Sequence, residues 1–317
     1  MQKATVIGAG VSGLSSALNL QLAGFDVRIL TRDPPQASAS AAAGAVWSGG
    51  SVAGRPRRWA DDSLAHFLRL AERADSGVGL RRMRQLFPER VGLPWFKDKL
   101  PFFAKMPAAD LPPDSGDGWI MDVPVVAPPR YLQYLQEQFL GAGGHLDARE
   151  VASLDGLADD SRLLVNCTGA WAKIVTPDPD VFPIRGQTLL VDAPQIRSGT
   201  MRASDDTYLF PRDDGILLGG IYQYYSWRQE VDQAQSRDIL ERCAQIEPAV
   251  TDAAIIRTAV GIRPGRATVR LEAEQRADGR TVIHNYGHGS IGFTLSWGCA
   301  LEVLALATQV TSADDKG

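Results

Sequence analysis

Three glycines near the amino terminus, Gly8, Gly10 and Gly13, stand in the spacing G-x-G-x-x-G within Gly8-Ala9-Gly10-Val11-Ser12-Gly13. Their use follows from the side chains they lack. Gly8 allows a tight turn, Gly10 lets the backbone approach a pyrophosphate, and Gly13 lets a helix pack closely on a strand, with the helix N-terminus facing the phosphate charge. The apolar run Ala4–Ile7 before them reads as a strand, Leu14–Leu22 as a helix and Asp26–Leu30 as a second strand. This βαβ opening predicts dinucleotide binding. A carboxylate for the ribose is expected about 20 residues past the glycines, and the second strand ends in Thr31-Arg32-Asp33. Arg32 suits the 2′-phosphate of NADP; Asp33, one place late, suits the ribose of FAD. The pattern leaves the two open.

A second glycine-rich element, Gly287-His288-Gly289-Ser290-Ile291-Gly292, precedes a final helix predicted from Phe293 to Gln309. In two-domain flavoproteins a late strand-turn-helix offers a helix N-terminus to the flavin carbonyl oxygens, which carry negative charge when the ring is reduced. A nicotinamide enzyme does not need this element, so the pair of glycine turns favours a flavin.

The elements that position these turns are partly legible. Residues Pro34 to Gly50, rich in Ala, Ser and Gly, read as a loop against a ligand. Helices are expected at Asp61–Ala74 and Pro129–Leu140, the latter with Tyr131, Leu132, Leu135 and Phe139 at helical spacing. Gly92 to Asp117 reads as irregular. Leu163–Gly169 is a buried strand ending in small polar residues, and Thr281–Gly287 is another strand. Short strands at Gly186–Val191, Leu209–Pro211, Ile216–Tyr222 and Ala254–Ile262 alternate with turns and suit a mixed or antiparallel second sheet. No internal repeat is found.

The chain of 317 residues is long enough for two lobes, and 44% hydrophobic with 22% charged residues fits a globular protein. A formal net charge of −4 gives no reason to expect a nucleic-acid or anionic-membrane partner. The three cysteines, Cys167, Cys243 and Cys299, are scattered, which argues against disulfides and a zinc site; no metal is expected. Met1–Lys3 lead straight into a strand, no apolar run reaches roughly 20 residues, and the polar end Thr311–Gly317 carries no Ser-Lys-Leu address. A cytoplasmic protein with a frayed tail is expected.

Several motifs, in order, resemble the D-amino acid oxidase and D-aspartate oxidase family. They are Val6–Leu14 around the first glycines, Ala42-Ala43-Gly44-Ala45-Val46-Trp47, Val165-Asn166-Cys167-Thr168-Gly169, Arg185-Gly186-Gln187, Gly261-Ile262-Arg263-Pro264, and His284–Gly289 through Ser296-Trp297-Gly298. They span nearly the whole chain. Thr31-Arg32-Asp33 is similar to the fungal members, which turns Arg32 towards FAD. The resemblance implies an α/β fold: a Rossmann-like FAD-binding domain of residues 1–53, 127–176 and 261–311, a substrate domain of 54–126 and 177–260 on a mixed or antiparallel curved sheet, and a tail of 312–317. It implies that hydride leaves Cα of a D-amino acid for flavin N5, that water turns the imino acid into a 2-oxo acid and ammonia, and that O₂ becomes H₂O₂. A homodimer is left open.

The resemblance also assigns residues. Arg263 holds the substrate carboxylate, for which arginine presents a planar fork of donors. Tyr208 meets the same carboxylate, Tyr222 is the second active-site tyrosine, although Tyr224 and Tyr225 stand close by, and the Ser290 carbonyl takes the substrate amine. FAD contacts fall on Gly8, Ala9, Gly10, Val11, Ser12 and Gly13; on Arg32 and Asp33; on Ala43, Gly44, Ala45, Val46 and Trp47; on Val151, Thr168, Gly169 and Trp171; on Arg263; and on Gly289, Ser290, Ile291, Gly292, Phe293 and Thr294. No side chain is needed as a general base, because catalysis is mainly orientation of the C–H bond. His284 and His288 flank Tyr286 near the cofactor, while His66 and His145 are expected on surfaces.

Two departures shape the expected specificity. The lid tyrosine of mammalian members falls near Ser204, so that lid is expected to be absent and its loop short. The arginine that D-aspartate oxidases place after Gly-Gly-x is Tyr222 here. Neutral and bulky side chains are therefore expected, with Arg202 or Arg228 as substitutes for the missing cation. A glycine or sarcosine oxidase is the rival within the class, and a non-catalytic NADP-binding protein the rival outside it.

Overall fold

The computed structural model describes residues 1–49 and 54–314. Gly50, the expected domain boundary at residue 53 and the tail residues 315–317 lie outside them. The chain opens with β1 (Lys3–Ile7), α1 (Val11–Leu22) and β2 (Asp26–Thr31), then α2 (Arg55–Leu70), β3 (Val78–Phe87), β4 (Phe103–Lys105) and β5 (Asp117–Val126). Next come α3 (Pro128–Gly141), β6 (His145–Ala148), β7 (Leu163–Asn166), a single turn α4 (Ala172–Val175) and the long β8 (Phe182–Asp192). A run of strands follows: β9 (Gly199–Arg202), β10 (Thr207–Arg212), β11 (Gly215–Gly219) and β12 (Gln223–Tyr224). The chain ends with α5 (Gln233–Ile246), β13 (Ala254–Gly265), β14 (Arg270–Gln275), β15 (Thr281–Tyr286) and α6 (Gly292–Asp314).

Among the described residues these strands form two sheets. The first has the order β14-β15-β7-β1-β2-β6 and is parallel except for β14. Its central strand, β1, is buried from Ala4 to Ile7, as the continuous apolar run requires of a strand covered on both faces. The second sheet has the order β12-β8-β11-β10-β9-β3-β5-β4, with β13 also paired to β8; only β3 and β9 run parallel in it. This is the mixed second sheet the sequence suggested. β13 stays hydrogen-bonded along β8 through Gly265, past the boundary expected at residue 261, because the antiparallel ladder continues over the whole of β8.

Several element boundaries differ from expectation for local reasons. α2 starts at Arg55, not Asp61, since Pro56 in the first turn suits a helix start. It stops at Leu70 instead of Ala74, where the Ser76 hydroxyl caps the Leu70 carbonyl. α6 runs through the residues expected to fray, where the Thr308, Thr311 and Ser312 hydroxyls donate back to carbonyls one turn earlier. That helix is also long and apolar enough, by length and composition, to cross a membrane, against the expectation that no run would be. It packs instead on α1 and α2, burying Leu295, Cys299, Val303 and Ala307. β3 and β5 were not foreseen, since arginines and Gln85 interrupt the apolar alternation of β3.

The second sheet uses its two faces differently. Leu189, Val191, Leu209, Ile216 and Leu218 pack against Ile239 and Cys243 of α5. The opposite face, with Leu190, Phe210 and Leu217, joins the main core shared with α1, α2, α3 and α6. Asp232 caps α5 by accepting from the backbone N–H groups of Ala234 and Gln235.

Candidate active site

A cavity of about 1180 Å³ lies where the carboxyl ends of β1, β2 and β7 meet the inner face of the second sheet. That exceeds the roughly 300–1,000 Å³ of a pocket for one small ligand. Both glycine-rich turns open into it. Gly8 to Ser12 line one part and Gly289 to Thr294 another, so the N-termini of α1 and α6 share one space. Gly8 adopts φ +103, and a side chain there would meet the Cys167 carbonyl at 2.6 Å. A side chain at Gly13 would sit 1.8 Å from the Gly8 carbonyl oxygen. The second turn is tied to the second sheet through the Gly289 N–H, which donates to the Pro264 carbonyl at 2.8 Å.

Arg263 projects from β13 into this cavity. Its Nη1 donates to the Ile221 carbonyl at 2.9 Å, and its guanidinium lies 4.4 Å from the ring centre of Tyr222. It has no carboxylate partner among the described residues, so its charge is held ready for an anion. Gly186, opposite on β8, leaves it room: a Cβ there would fall 2.2 Å from Arg263 Nη1. Tyr208 shares the space. Burial pushes its phenol up to about 12, with the Arg263 charge pulling the other way, so the hydroxyl keeps its proton.

From Tyr208 a row of side chains crosses the sheet in register. Tyr208 pairs with Met201, Met201 with Gln85, and Gln85 with Trp119, and all four line the cavity. At about 4.8 Å between strands, the row extends away from Arg263 over three strand spacings. Phe87 stands against Trp119 at 4.5 Å between ring centres, and Leu93 and Trp95 add to the wall. Gln85 makes no side-chain hydrogen bond among the described residues. Arg202, next along β9, also borders the cavity, but its guanidinium bonds Asp205 twice and reaches Asp114 and Gln245 of α5.

Most residues proposed from the sequence converge on this cavity. Arg263, Tyr208, Tyr222 and Ser290 line it, as do Gly8, Ala9, Gly10, Val11 and Ser12, Arg32 and Asp33, and Ala43, Gly44, Ala45 and Val46. So do Val151, Thr168, Gly169 and Trp171, together with Gly289, Ile291, Gly292, Phe293 and Thr294. Two do not line it. Gly13 packs beneath the turn, and Trp47 is a core residue whose indole donates to the Ala60 carbonyl while its ring meets Phe96 edge-on. The tyrosine ambiguity resolves by position: Tyr222 stacks with Arg263, Tyr224 sits at the cavity edge, and Tyr225 is exposed beside Phe182. Arg202 borders the cavity and Arg228 does not; Arg228 pairs with Glu230 and Asp232.

Two histidines, His66 and His284, lie elsewhere than the sequence suggests. His66 is buried and stacked on Trp297 at 3.5 Å, not on the surface, because Trp297 and Tyr131 of neighbouring helices close over it. Burial lowers its pKa to about 3. His145 is exposed. His284 faces Glu274 and Asn166 on the side of β15 away from the cavity lining. His288 lines the cavity, and burial lowers it to about 4, so it is neutral at pH 7. Sequence reading missed Gln85, Met201 and Trp119, which only the register of the sheet brings together, and Ser40, whose hydroxyl accepts from Val11 N–H at the start of α1.

The family profile described as FAD dependent oxidoreductase, DAO, matches residues 3–306. A D-amino-acid oxidase of Rubrobacter xylanophilus is 39% identical, over 98% of this chain and 97% of that protein. The human D-aspartate oxidase is 33% identical, over 97% of this chain and 95% of that one. The chain belongs to the D-amino-acid oxidase family of FAD-dependent oxidoreductases. A glycine oxidase structure from Geobacillus kaustophilus superposes with a TM-score of 0.84 at 18% identity, covering 98% of this chain and 95% of that one, which shows the shared fold. FAD, the family's cofactor, fits the residues present. The N-termini of α1 and α6 both open into the cavity through glycine-rich turns, and His288 Nε2 is buried without a partner among the described residues.

Proposed function

We propose that this chain oxidises D-amino acids with neutral, bulky side chains to 2-oxo acids, releasing ammonia and H₂O₂. The observation that carries the reading is Arg263: one guanidinium without a counter-ion among the described residues, at the start of the row Tyr208–Met201–Gln85–Trp119, in the same cavity as two helix N-termini. FAD, when bound, supplies the two-electron acceptor that O₂ reoxidises. Gly8–Ser12 would face its pyrophosphate, Arg32 and Asp33 its ribose side, and the α6 N-terminus its ring carbonyls. Arg263 and the protonated Tyr208 hold the α-carboxylate, and the Ser290 carbonyl accepts from the α-amine. Two fixed ends leave the Cα–H in one direction, which is the orientation hydride loss requires. Neutral His288 is no proton acceptor of the right strength, and none is needed for that step. The reading carries with it the division into a cofactor domain and a substrate domain around the two sheets.

The side chain follows from the row Met201–Gln85–Trp119. A glycine or sarcosine oxidase would leave that row without use. Arg202, which borders the cavity, is spent on Asp205 and Asp114, so a second carboxylate along the row would have to break that pairing or draw Arg57 from the cavity edge, and an unpaired buried charge is disfavoured. A panel of D-phenylalanine, D-methionine, D-alanine, D-aspartate and glycine, read as H₂O₂ at equal subsaturating concentration, tests this. We expect D-phenylalanine and D-methionine to lead. D-aspartate as the fastest substrate would sink the neutral preference and turn attention to Arg57, a cavity-edge cation stacked on Trp95.

A further inference from the structure

We propose that Arg185, which lies outside the cavity, is a positioning residue that fixes Arg263 by clamping the segment 221–235. The inference rests on the reading of Arg263 as the carboxylate holder. Arg185 is 0% exposed. Its Nε donates to the Arg228 carbonyl at 3.0 Å, its Nη1 to Gln223 at 3.0 Å and Gln235 at 2.6 Å, and its Nη2 to Gln187 at 2.9 Å and the Glu230 carbonyl at 2.6 Å. Every acceptor is neutral. A buried cation with no hydrogen-bonded carboxylate is a costly way to stabilise a core, and an apolar residue of similar size would serve stability as well. What the fork does achieve is geometric: it holds four points of one segment against β8. Gln187 adds to the grip, exchanging bonds with the Asp232 backbone and reaching Ser236.

That segment is the support of Arg263. Ile221 supplies the carbonyl that accepts from Arg263 Nη1, and Tyr222 supplies the ring under the guanidinium; Gln223, the next residue, is the one Arg185 holds. β12, Gln223–Tyr224, is also laddered to Ile184 and Arg185 of β8. Strand alternation explains the triplet Arg185-Gly186-Gln187. Arg185 and Gln187 point to the segment and α5, while Gly186 faces the cavity and gives Arg263 its room. One strand therefore builds the seat of Arg263 from both sides. Loosening the clamp frees the carbonyl and the ring together, and a misplacement of the order of 1 Å costs about a hundredfold in such a step.

The test compares wild-type holoenzyme with Arg185→Lys and with the milder Gln223→Ala and Gln235→Ala, each of which removes one acceptor. Three quantities are read: anaerobic flavin reduction by D-phenylalanine, the affinity for phenylpyruvate as a carboxylate probe from the flavin spectrum, and the affinity for FAD. We expect KM and the phenylpyruvate Kd to rise together by about tenfold or more, with FAD affinity changed less than twofold. In an Arg263→Leu background, Arg185→Lys should add no further loss of phenylpyruvate affinity. Unchanged KM and Kd in all three variants, or a full additional loss in the Arg263→Leu background, would overturn the clamp. A loss of FAD affinity as large as the loss of phenylpyruvate affinity would do the same, by showing a general structural role. If D-amino acids fail to reduce the wild-type flavin, the functional reading falls, and the phenylpyruvate and FAD affinities still decide the clamp.

Discussion

Arg263 owes its place to a neighbour with no side chain. A methyl group at Gly186 would meet first the far end of Arg263, a flexible side chain, so Gly186→Ala should fold and take up FAD while the guanidinium is forced aside. The expected result is a raised KM for D-phenylalanine with an intact flavin spectrum. Unaltered KM would show that the carboxylate is held elsewhere. Arg263→Leu should be more severe, since a charge-assisted fork is worth roughly 2–5 kcal/mol when its partner is left buried; kcat/KM should fall by orders of magnitude in flavin-loaded protein. Arg263 was legible because Gly-Ile-Arg-Pro is a distinctive local string. The service of Gly186 was not, because it acts across the β8–β13 ladder, on a residue far away in the chain.

At the scale of elements, the site depends on two helices whose N-termini open into one cavity. α1 was read almost in full from the glycine spacing and the run after it, as was α6 from the turn before it. Gly13 matters through packing, since its Cβ would collide with the Gly8 carbonyl, which is backbone and cannot swing away. Gly13→Ala should therefore move α1 off β1. The expected outcome is loss of bound FAD and destabilisation of about 1–3 kcal/mol, measured by flavin content and by denaturant unfolding of the apoprotein. Full flavin content in a stable Gly13→Ala protein would contradict this packing role. β3 and β5 escaped the sequence reading for a physical reason. In β3 the cavity-facing Gln85 stands among arginines, so the apolar alternation that marks a strand buried on one side is broken where the strand serves a site; β5 is mostly apolar on both faces and shows no alternation either.

The whole molecule should be acid-sensitive. His66 and His288 are neutral when folded, with pKa lowered by burial to about 3 and about 4. Between those values and the ordinary 6.5 the unfolded chain binds more protons, so stability is full above pH 6.5 and falls as pH drops through that window. The loss amounts to about 2 kcal/mol for each histidine between pH 8 and pH 5. Carboxylates such as Asp205, held near 2 by Arg202 and Thr207 against the cost of burial, add their loss only below about pH 4. Denaturation midpoints of holoenzyme from pH 8 to 5 should decline, and His66→Phe, which keeps a ring against Trp297, should flatten the decline. A midpoint that is level across this range in the wild type would show that neither histidine is kept neutral by the fold.

What the sequence determined by itself was local. Glycine spacing after an apolar strand specifies a turn that accepts a pyrophosphate, because the requirement is a matter of backbone sterics within a few residues. A string of ordered motifs placed the chain in its family for the same reason. The tertiary structure decided what depends on pairing between distant strands: that Tyr208, Met201, Gln85 and Trp119 form one row, that Arg202 spends its charge on Asp205 and Asp114, and that Arg185 grips the segment under Arg263. A shift of one residue in register would turn each of these side chains to the other face of the sheet. Register is set by the sum of contacts over the whole sheet, and no short stretch of sequence contains that sum.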